Sequence, residues 1–332
     1  RARCGRYPHN RILYVDDCVP HSALGSGFPR ARRFLTALVD LGSLVTLYPM
    51  NAVTGDWTAT YHDLPRNVEV MKDGGGPGLR AFLQARQHYY DAIIVSRPHN
   101  MRTLNRLIDD DPTLLGNARL IYDAEAIFSL RESQRMRLQG KPLEPTSIQR
   151  MLREETNLAK HAHAVLSVSD QEAAHFSLAC DQQVLTLSHA IELSPTLSSF
   201  EDRDGLLFVG AIHDADSPNG DSVRWLNNEI LPEINKNRTH AICLKVAGVL
   251  PRRRFLRSTA EGVTLLGPVE DLSPLYDQAR VFLAPTRFAA GIPLKVLEAA
   301  SRGVPVVATS VVAGQLGWQH ERPLLIADDV QG

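Results

Sequence analysis

The sequence has little cysteine, no excess of either charge and no long apolar run. Its four cysteines, Cys4, Cys18, Cys180 and Cys243, stand at unrelated spacings without a CxxC pair. That argues against a zinc site and a disulfide framework, and fits a reducing cytoplasm. Lys and Arg total 36 against 37 Asp and Glu, so no basic surplus selects nucleic acid as the main partner. No apolar run approaches the roughly 18 residues of a membrane helix, so no transmembrane segment is expected. The start, RARCGRYPHN, lacks both an initiator Met and the apolar core of a signal peptide. The end, LLIADDVQG, follows directly on a strand-like run, and the chain reads as a segment of a longer polypeptide with other domains.

What is present is ordinary globular material, 44% hydrophobic and 22% charged over 332 residues. That length suggests two domains. Short β-branched runs alternate with helix-length segments: RILYVDD (11–17), SLVTLYPM, DAIIVSRP, RLIYDAEA and AVLSVSD, with helices expected over 99–111 and 147–161. This alternation predicts a parallel sheet covered on both faces. Residues 186–204, rich in Ser, Pro and mixed charge, interrupt the rhythm. It restarts with GLLFVGAI, AICLKVAG, VTLLGPV, RVFLAP and VPVVAT, with helices expected over 221–236, 251–260, 271–279 and 293–302. The expectation is an N-terminal domain over 1–200 and a C-terminal domain over 201–332, both α/β and Rossmann-like. In such folds ligands bind outside the carboxyl ends of strands, so the loops after strands are the candidate sites.

The stretch PTRFAAGIPLKVLEAASRG (285–303) follows one of these strands. Pro293 stands where a helix begins and its missing N–H costs nothing. The free amides and positive end of that helix suit a diphosphate, Lys295 adds a charge in the first turn, and Glu298 can accept hydrogen bonds from a ribose diol. The plainer reading is a surface i,i+3 ion pair between Lys295 and Glu298. The loop GSGFPR (25–30) has Gly25 and Gly27 where backbone amides can approach a phosphate or sugar. Its third glycine position holds Arg30, so it is no GxGxxG fingerprint and can equally be a tight turn. Asp123 and Glu125 end the strand YDAEA; Glu125 is the first choice to contact an acceptor hydroxyl and Asp123 the second, with helix capping the alternative for Asp123. Arg97 and His99 leave another strand, and Pro98 favours an extended backbone at Arg97; His99 is either a cap or a base. The acidic loop after GLLFVGAI fits no EF-hand spacing, so no metal is expected. The basic run PRRRF (251–255) opposes the dipole of the helix it would open, and reads as a solvated face or a contact to a nucleotide.

Taken together, GIPLKVLEAASRGVPVVAT, FVGAIHDADSPNGD, LKVAGVLP, LLGPVEDLSPLYDQARVFLAP and the N-terminal segments ILYVDD, SRPHN, LIYDAEAIFSLRE and SVSDQEAAHF resemble retaining family-four glycosyltransferases of the GT-B fold. The similar branch reads GAGI-x-x-K-V-x-E-A and FVG-x-x-H-x-PN-x-D. The resemblance runs from about residue 11 to 317. It implies two Rossmann-like domains with parallel sheets facing across a cleft. It further implies metal-free transfer of a sugar, with retention, from a UDP-, GDP- or dTDP-linked donor to a glycan or lipid-linked acceptor. The setting it implies is bacterial-type surface polysaccharide assembly, cytoplasmic or peripheral at the inner membrane. On this resemblance His213, Asn219, Gly248, Val269, Arg287, Gly291, Ile292, Lys295 and Glu298 join Gly25 and Gly27 on the donor side, and Glu125, Asp123 and His99 stand on the acceptor side. Three departures are plain: Ala290 replaces a Glu found in most relatives, Phe128 replaces a His, and HDADSPNGD lacks the usual diphosphate Lys. A nucleotide-sugar epimerase on the same fold and a non-catalytic GT-B-like binding module are the alternatives.

Overall fold

The computed structural model describes residues 10–332 apart from 22, 23, 26, 54, 252–255 and 257. Residues 252–255 of the basic run PRRRF, and with 257 half of the helix expected over 251–260, therefore lie outside the described residues. The chain divides into two compact units, one of residues up to Ser129 with Pro145–Ser188, the other of Leu130–Glu144 with His189–Gly332. The division falls inside the Ser- and Pro-rich stretch read from 186 to 204. That residues 130–144 group with the second unit is invisible in the sequence pattern.

The first unit runs β1 (Arg11–Asp16), α1 (Phe28–Asp40), β2 (Leu44–Pro49), α2 (Trp57–Thr60), β3 (Glu69–Val70), α3 (Gly75–Ala85), β4 (Ala92–Ser96), α4 (Pro98–Asp110), β5 (Arg119–Asp123), the start of α5 (Phe128–Leu138), α6 (Pro145–Thr156), β6 (Ala164–Ser167), α7 (Asp170–Ala179) and β7 (Gln183–Thr186). Its seven strands are ordered β3-β2-β1-β4-β5-β6-β7 and pair in parallel. β1, β2 and β4 are buried almost throughout, which is why they read as continuous apolar runs rather than alternating ones. Ile12, Tyr14, Leu35, Val45, Leu47 and Ile94 share one core cluster, so α1 packs its apolar side on β1 and its neighbours.

The second unit continues with β8 (Leu206–Val209), α8 (Pro218–Trp225), α9 (Leu231–Asn235), β9 (Leu244–Ala247), β10 (Val263–Gly267), α10 (Ser273–Gln278), β11 (Val281–Ala284), α11 (Leu294–Ser301), β12 (Val306–Ala308), α12 (Ser310–Leu316), β13 (Gln319–His320) and β14 (Pro323–Ile326). Its seven strands are ordered β10-β9-β8-β11-β12-β14-β13. The helix expected over 221–236 begins earlier, at Pro218, because the Ser217 hydroxyl accepts from Gly220 N–H and proline fits the first turn. A wide turn at Leu226–Ile230 joins it to α9. Val296 and Ala299 on α11 sit fully buried with Phe282, Ala284 and Val306, fixing that helix on β11 and β12.

In both sheets the strand order reverses beside the first strand, between β1 and β4 and between β8 and β11. The carboxyl ends of those pairs are where a doubly wound sheet receives ligands.

Candidate functional site

In the first unit the ends of β1, β4 and β5 converge on a buried charge network. Arg97 Nε donates to Asp16 Oδ1 at 2.7 Å and lies 3.4 Å from Asp17 Oδ2, while its Nη1 is 3.2 Å from Glu125 Oε2. Its guanidinium also stands 4.3 Å from the Phe28 ring centroid. Asp16 is fully buried, and Arg97 and Glu125 are each 8% exposed. Burial raises Asp16 above the usual carboxylate range against the pull of Arg97. Burial likewise lifts Glu125 to about 7, with Arg97 opposing and Asp123 adding to the rise. Asp17 moves the other way: it is partly exposed, and although burial works against it, the His99 bond and the Arg97 charge hold it below the usual range.

The backbone supports this network at a cost. Arg97 keeps the extended ψ of 145° that Pro98 favours, but its φ is +77°, not the ordinary strand exit expected from the sequence. Its amide bonds to Asp123 O at 3.0 Å, so the chain is fixed from both sides of that dihedral. Glu125 has φ +56°, and Ala126 N–H reaches back to Ala124 O at 2.6 Å around it. Non-glycine residues in this region cost on the order of 1–3 kcal/mol each and collect at functional sites. Gly27, at the start of α1, completes the arrangement: a Cβ there would stand 2.1 Å from Glu125 Oε1. Only a glycine admits that carboxylate. Gly25 has open space where its Cβ would be.

Asp123 is not available to an acceptor. It is fully buried and grips Arg30 in a two-pronged ion pair, Nη1 to Oδ2 and Nη2 to Oδ1 both at 2.9 Å, with Tyr14 and Ser96 also donating to Oδ2. Arg30 in turn donates to Leu187 O. The capping alternative fails too: α5 is capped by Glu155, whose two oxygens accept from Phe128 N–H at 2.7 Å and Ser129 N–H at 2.8 Å. His99, in the first turn of α4, is half exposed and tied through Nε2 to Asp17 Oδ1 at 2.5 Å, and Asn100 donates to the same oxygen. Arg97 and the Asp16–Asp17 pair are thus the groups that residue-by-residue reading undervalued. Two successive acids closing an apolar strand were the available signal.

In the second unit the loops leaving β8 and β11 bring together Lys295, Asn219, Phe208, Arg287 and Asp221. Lys295 does not pair along its helix with Glu298. Its Nζ donates to Asn219 Oδ1 at 2.7 Å and sits 4.4 Å from the Phe208 ring centroid. The residue as a whole is partly exposed, but the ammonium end is enclosed, and burial lowers it to about 7. Asn219 is oriented by its own donation to Ala211 O at 2.9 Å, which turns its oxygen to the lysine. Gly248, with φ +133°, carries the end of β9 so close that a Cβ would meet Gly210 O at 2.3 Å.

Arg287, the other cation expected at a diphosphate, is already engaged: its Nε and Nη2 meet Asp221 Oδ2 and Oδ1 at 3.0 and 2.7 Å, and it lies over Trp225. Glu298 Oε2 accepts from Tyr276 O–H at 3.4 Å, one turn along α11 from Lys295. Gly291 is buried and Ile292 partly exposed in the loop before α11, where Ala289 N–H donates to Gln134 Oε1 at 3.0 Å. His213 is exposed, and Val269 packs part of its side chain on the core beside Leu272 and Leu275. Among the described residues no group of three or more His, Cys, Asp or Glu is arranged to hold a metal ion, and no helix is long and apolar enough to cross a membrane.

These two units have the architecture of GT-B glycosyltransferases. The Anabaena HepE protein in complex with UDP and glucose matches over 97% of this chain and 87% of its own, with a TM-score of 0.63 at 16% identity. TarM matches over 98% and 90%, with a TM-score of 0.68 at 8% identity. The catalytic domain of starch synthase IV from Arabidopsis thaliana, bound to ADP and acarbose, matches over 98% and 90%, with a TM-score of 0.62 at 11% identity. At such identities the likeness speaks for the fold. A sequence match to the family described as glycosyl transferases group 1 covers residues 203–331, all within the second unit. No curated protein matches the sequence.

Proposed function

We propose that the chain is a nucleotide-sugar-dependent glycosyltransferase whose second unit binds the donor. The observation that carries this reading is Lys295: an enclosed cation at the reversal point of the sheet, held by a neutral amide and an aromatic face. Arg287, by contrast, is already neutralised by Asp221. A buried cation without an anion fits a ligand that supplies one. The family match over 203–331 and the UDP- and ADP-bound neighbours of the same fold support a nucleoside diphosphate sugar as that ligand.

In this reading Lys295 and the first-turn amides of α11 stabilise the charge that gathers on the leaving diphosphate. Glu298 accepts from donor hydroxyls and orients the sugar-nucleotide rather than moving a proton. Gly291, Ile292, Gly248, Val269, His213 and Asn219 shape the donor pocket. Glu125, with a carboxyl that titrates near neutrality and a strained backbone, is the acceptor-side candidate on the first unit, with His99 linked to it through Asp17 and Arg97. Retention of configuration, with the donor phosphate taking the acceptor proton, is the mechanism we favour. Surface-glycan assembly on a glycan or lipid-linked acceptor is the role we favour.

A thermal-shift screen of UDP-, GDP- and dTDP-sugars tests this directly, since a ligand that binds only the folded protein raises its Tm by mass action. One base class should raise the Tm, and the same compound should be turned over with an acceptor or hydrolysed. No shift with any of them contradicts the proposal. A shift without turnover favours a non-catalytic binding module, the reading that Ala290 in place of the common Glu also supports.

A further inference from the structure

We propose that Lys295 takes up a proton when a phosphate-bearing nucleotide binds the second unit, so that donor affinity is set by pH near neutrality; this rests on the reading of that unit as a donor site. The Lys295 nitrogen lies 4.4 Å from the Phe208 ring centroid on a partly buried side chain, and its hydrogen-bond acceptor is the Asn219 oxygen, which carries no charge. Asn219 cannot turn a different atom to it without giving up Ala211 O, and Gly210 leaves no room for the amide to shift, since a Cβ there would already stand 2.8 Å from Asn219.

The charged groups on the surrounding elements are committed elsewhere or absent. β8, β11 and β12 carry no titratable side chain. On α8, Asp221 is spent on Arg287, and Arg224 lies 3.5 Å from Asp216. In the loop from β8 to α8, Asp214 accepts from Asp216 N–H, and His213 is exposed. On α11 itself, Glu298 accepts from Tyr276. Among the described residues no carboxylate comes within 4 Å of the Lys295 nitrogen. An ammonium so placed is costly, which agrees with a titration near 7 instead of 10.5.

A diphosphate diester is a permanent anion across neutral pH. Placed at α11 it supplies the missing counter-charge and pulls the amine back to its protonated form. The proton comes from the buffer and lands on Nζ. The ligand-free site at pH 8 is mostly neutral amine, so binding should take up close to one proton, and affinity should fall about tenfold per pH unit above 7. A nucleoside without phosphate should show neither effect.

Two measurements on the full chain decide it. First, UDP-glucose, GDP-glucose and dTDP-glucose are titrated calorimetrically at pH 8 in HEPES and in Tris, whose different ionisation heats report the protons exchanged. Uptake near one proton for the nucleotide sugar that binds, lost in Lys295→Met, is the expected result. Asn219→Asp gives the amine a built-in counter-ion, so uptake should vanish there while affinity drops about tenfold. Binding without uptake, or uptake that survives in Lys295→Met, overturns the proposal and leaves the donor reading standing. Second, the ligand-free protein is labelled with acetic anhydride across pH 5–11 and each of its six lysines is read by mass spectrometry. Lys295 should show a midpoint near 7, and a midpoint near 10, shared with the other five, overturns the proposal. A midpoint near 7 with no binding of any of the three nucleotide sugars overturns the donor reading and the proposal together.

Discussion

At the end of β1 in the first unit, Asp16, Asp17 and Glu125 surround one guanidinium, while next to them Arg30 and Asp123 close on each other. At the matching end of β8 in the second unit, one ammonium meets an amide oxygen and an aromatic ring. Both places are reversal points of a seven-stranded parallel sheet, yet in one the guanidinium is ion-paired to carboxylates, with Asp16 Oδ2, Arg97 Nη2 and Glu125 Oε1 buried without hydrogen-bond partners, and in the other the ammonium has only uncharged partners. The ion-paired one includes two residues at positive φ, Arg97 and Glu125; the other is the one that the proposed donor reading supplies with an anion. Buried charge is tolerated in proteins when it is paired, so the cation with only uncharged partners is the more informative of the two.

Removing the two cations should therefore have opposite effects on stability. Arg97→Met leaves buried Asp16 with only the Asp17 amide as donor and takes from Glu125 its ion-pair partner, and should lower unfolding free energy by about 3–5 kcal/mol in urea titration. Lys295→Met replaces an enclosed amine by an apolar chain of similar length and should leave stability equal or higher. The gain should be larger at pH 6 than at pH 9. The sign follows from the titration: the folded amine titrates near 7 and the unfolded one near 10.5, so between those values only the unfolded chain holds the proton and wild-type stability rises with pH. Equal destabilisation by both substitutions would erase the contrast.

Glu125 gives a smaller, opposite slope. Its folded carboxyl titrates near 7 and its unfolded one near 4.5, so the wild type loses stability as pH rises through that window. Glu125→Gln should remove the loss and be more stable at pH 8 by about 1–3 kcal/mol. A flat difference between pH 4 and pH 8 would show that Glu125 is not held protonated. Gly27→Ala drives a methyl into the same carboxylate and should cost about 1–2 kcal/mol. Combined with Glu125→Ala that cost should largely disappear, because the clash is with one side chain. The smallest effect belongs to Glu298→Ala: donor affinity should fall roughly three- to tenfold with the fold intact, since the position is partly exposed on α11.

The central strands were legible because both sheets are parallel and buried in their middles, so that β1, β2, β4 and β8 are dense apolar runs; the edge strands β3, β7 and β13, short or exposed, carry no such signal. The grouping of 130–144 with the second unit was not legible, because it rests on contacts far apart in sequence rather than on local pattern. At the sites, the placement of Lys295 on an early helical turn after β11 could be read from PLKVLE. Its partner could not: Asn219 lies on a different element and acts only through three-dimensional proximity. Asp123 was misjudged for the same reason, since its partner Arg30 stands in a loop-to-helix segment that reads as a solvated turn. Arg97 follows β4 as the sequence suggests, but neither its positive φ nor its place at the centre of a network has a signature in sequence.

The most direct test of the account compares Lys295→Met with the wild type for two ligands by calorimetry: the nucleoside diphosphate sugar that stabilises the protein, and the matching nucleoside. The account predicts a loss of roughly 10- to 100-fold for the diphosphate-bearing ligand and little change for the nucleoside. An equal loss for both, or no loss for either, would contradict a phosphate contact at Lys295 and with it the donor site.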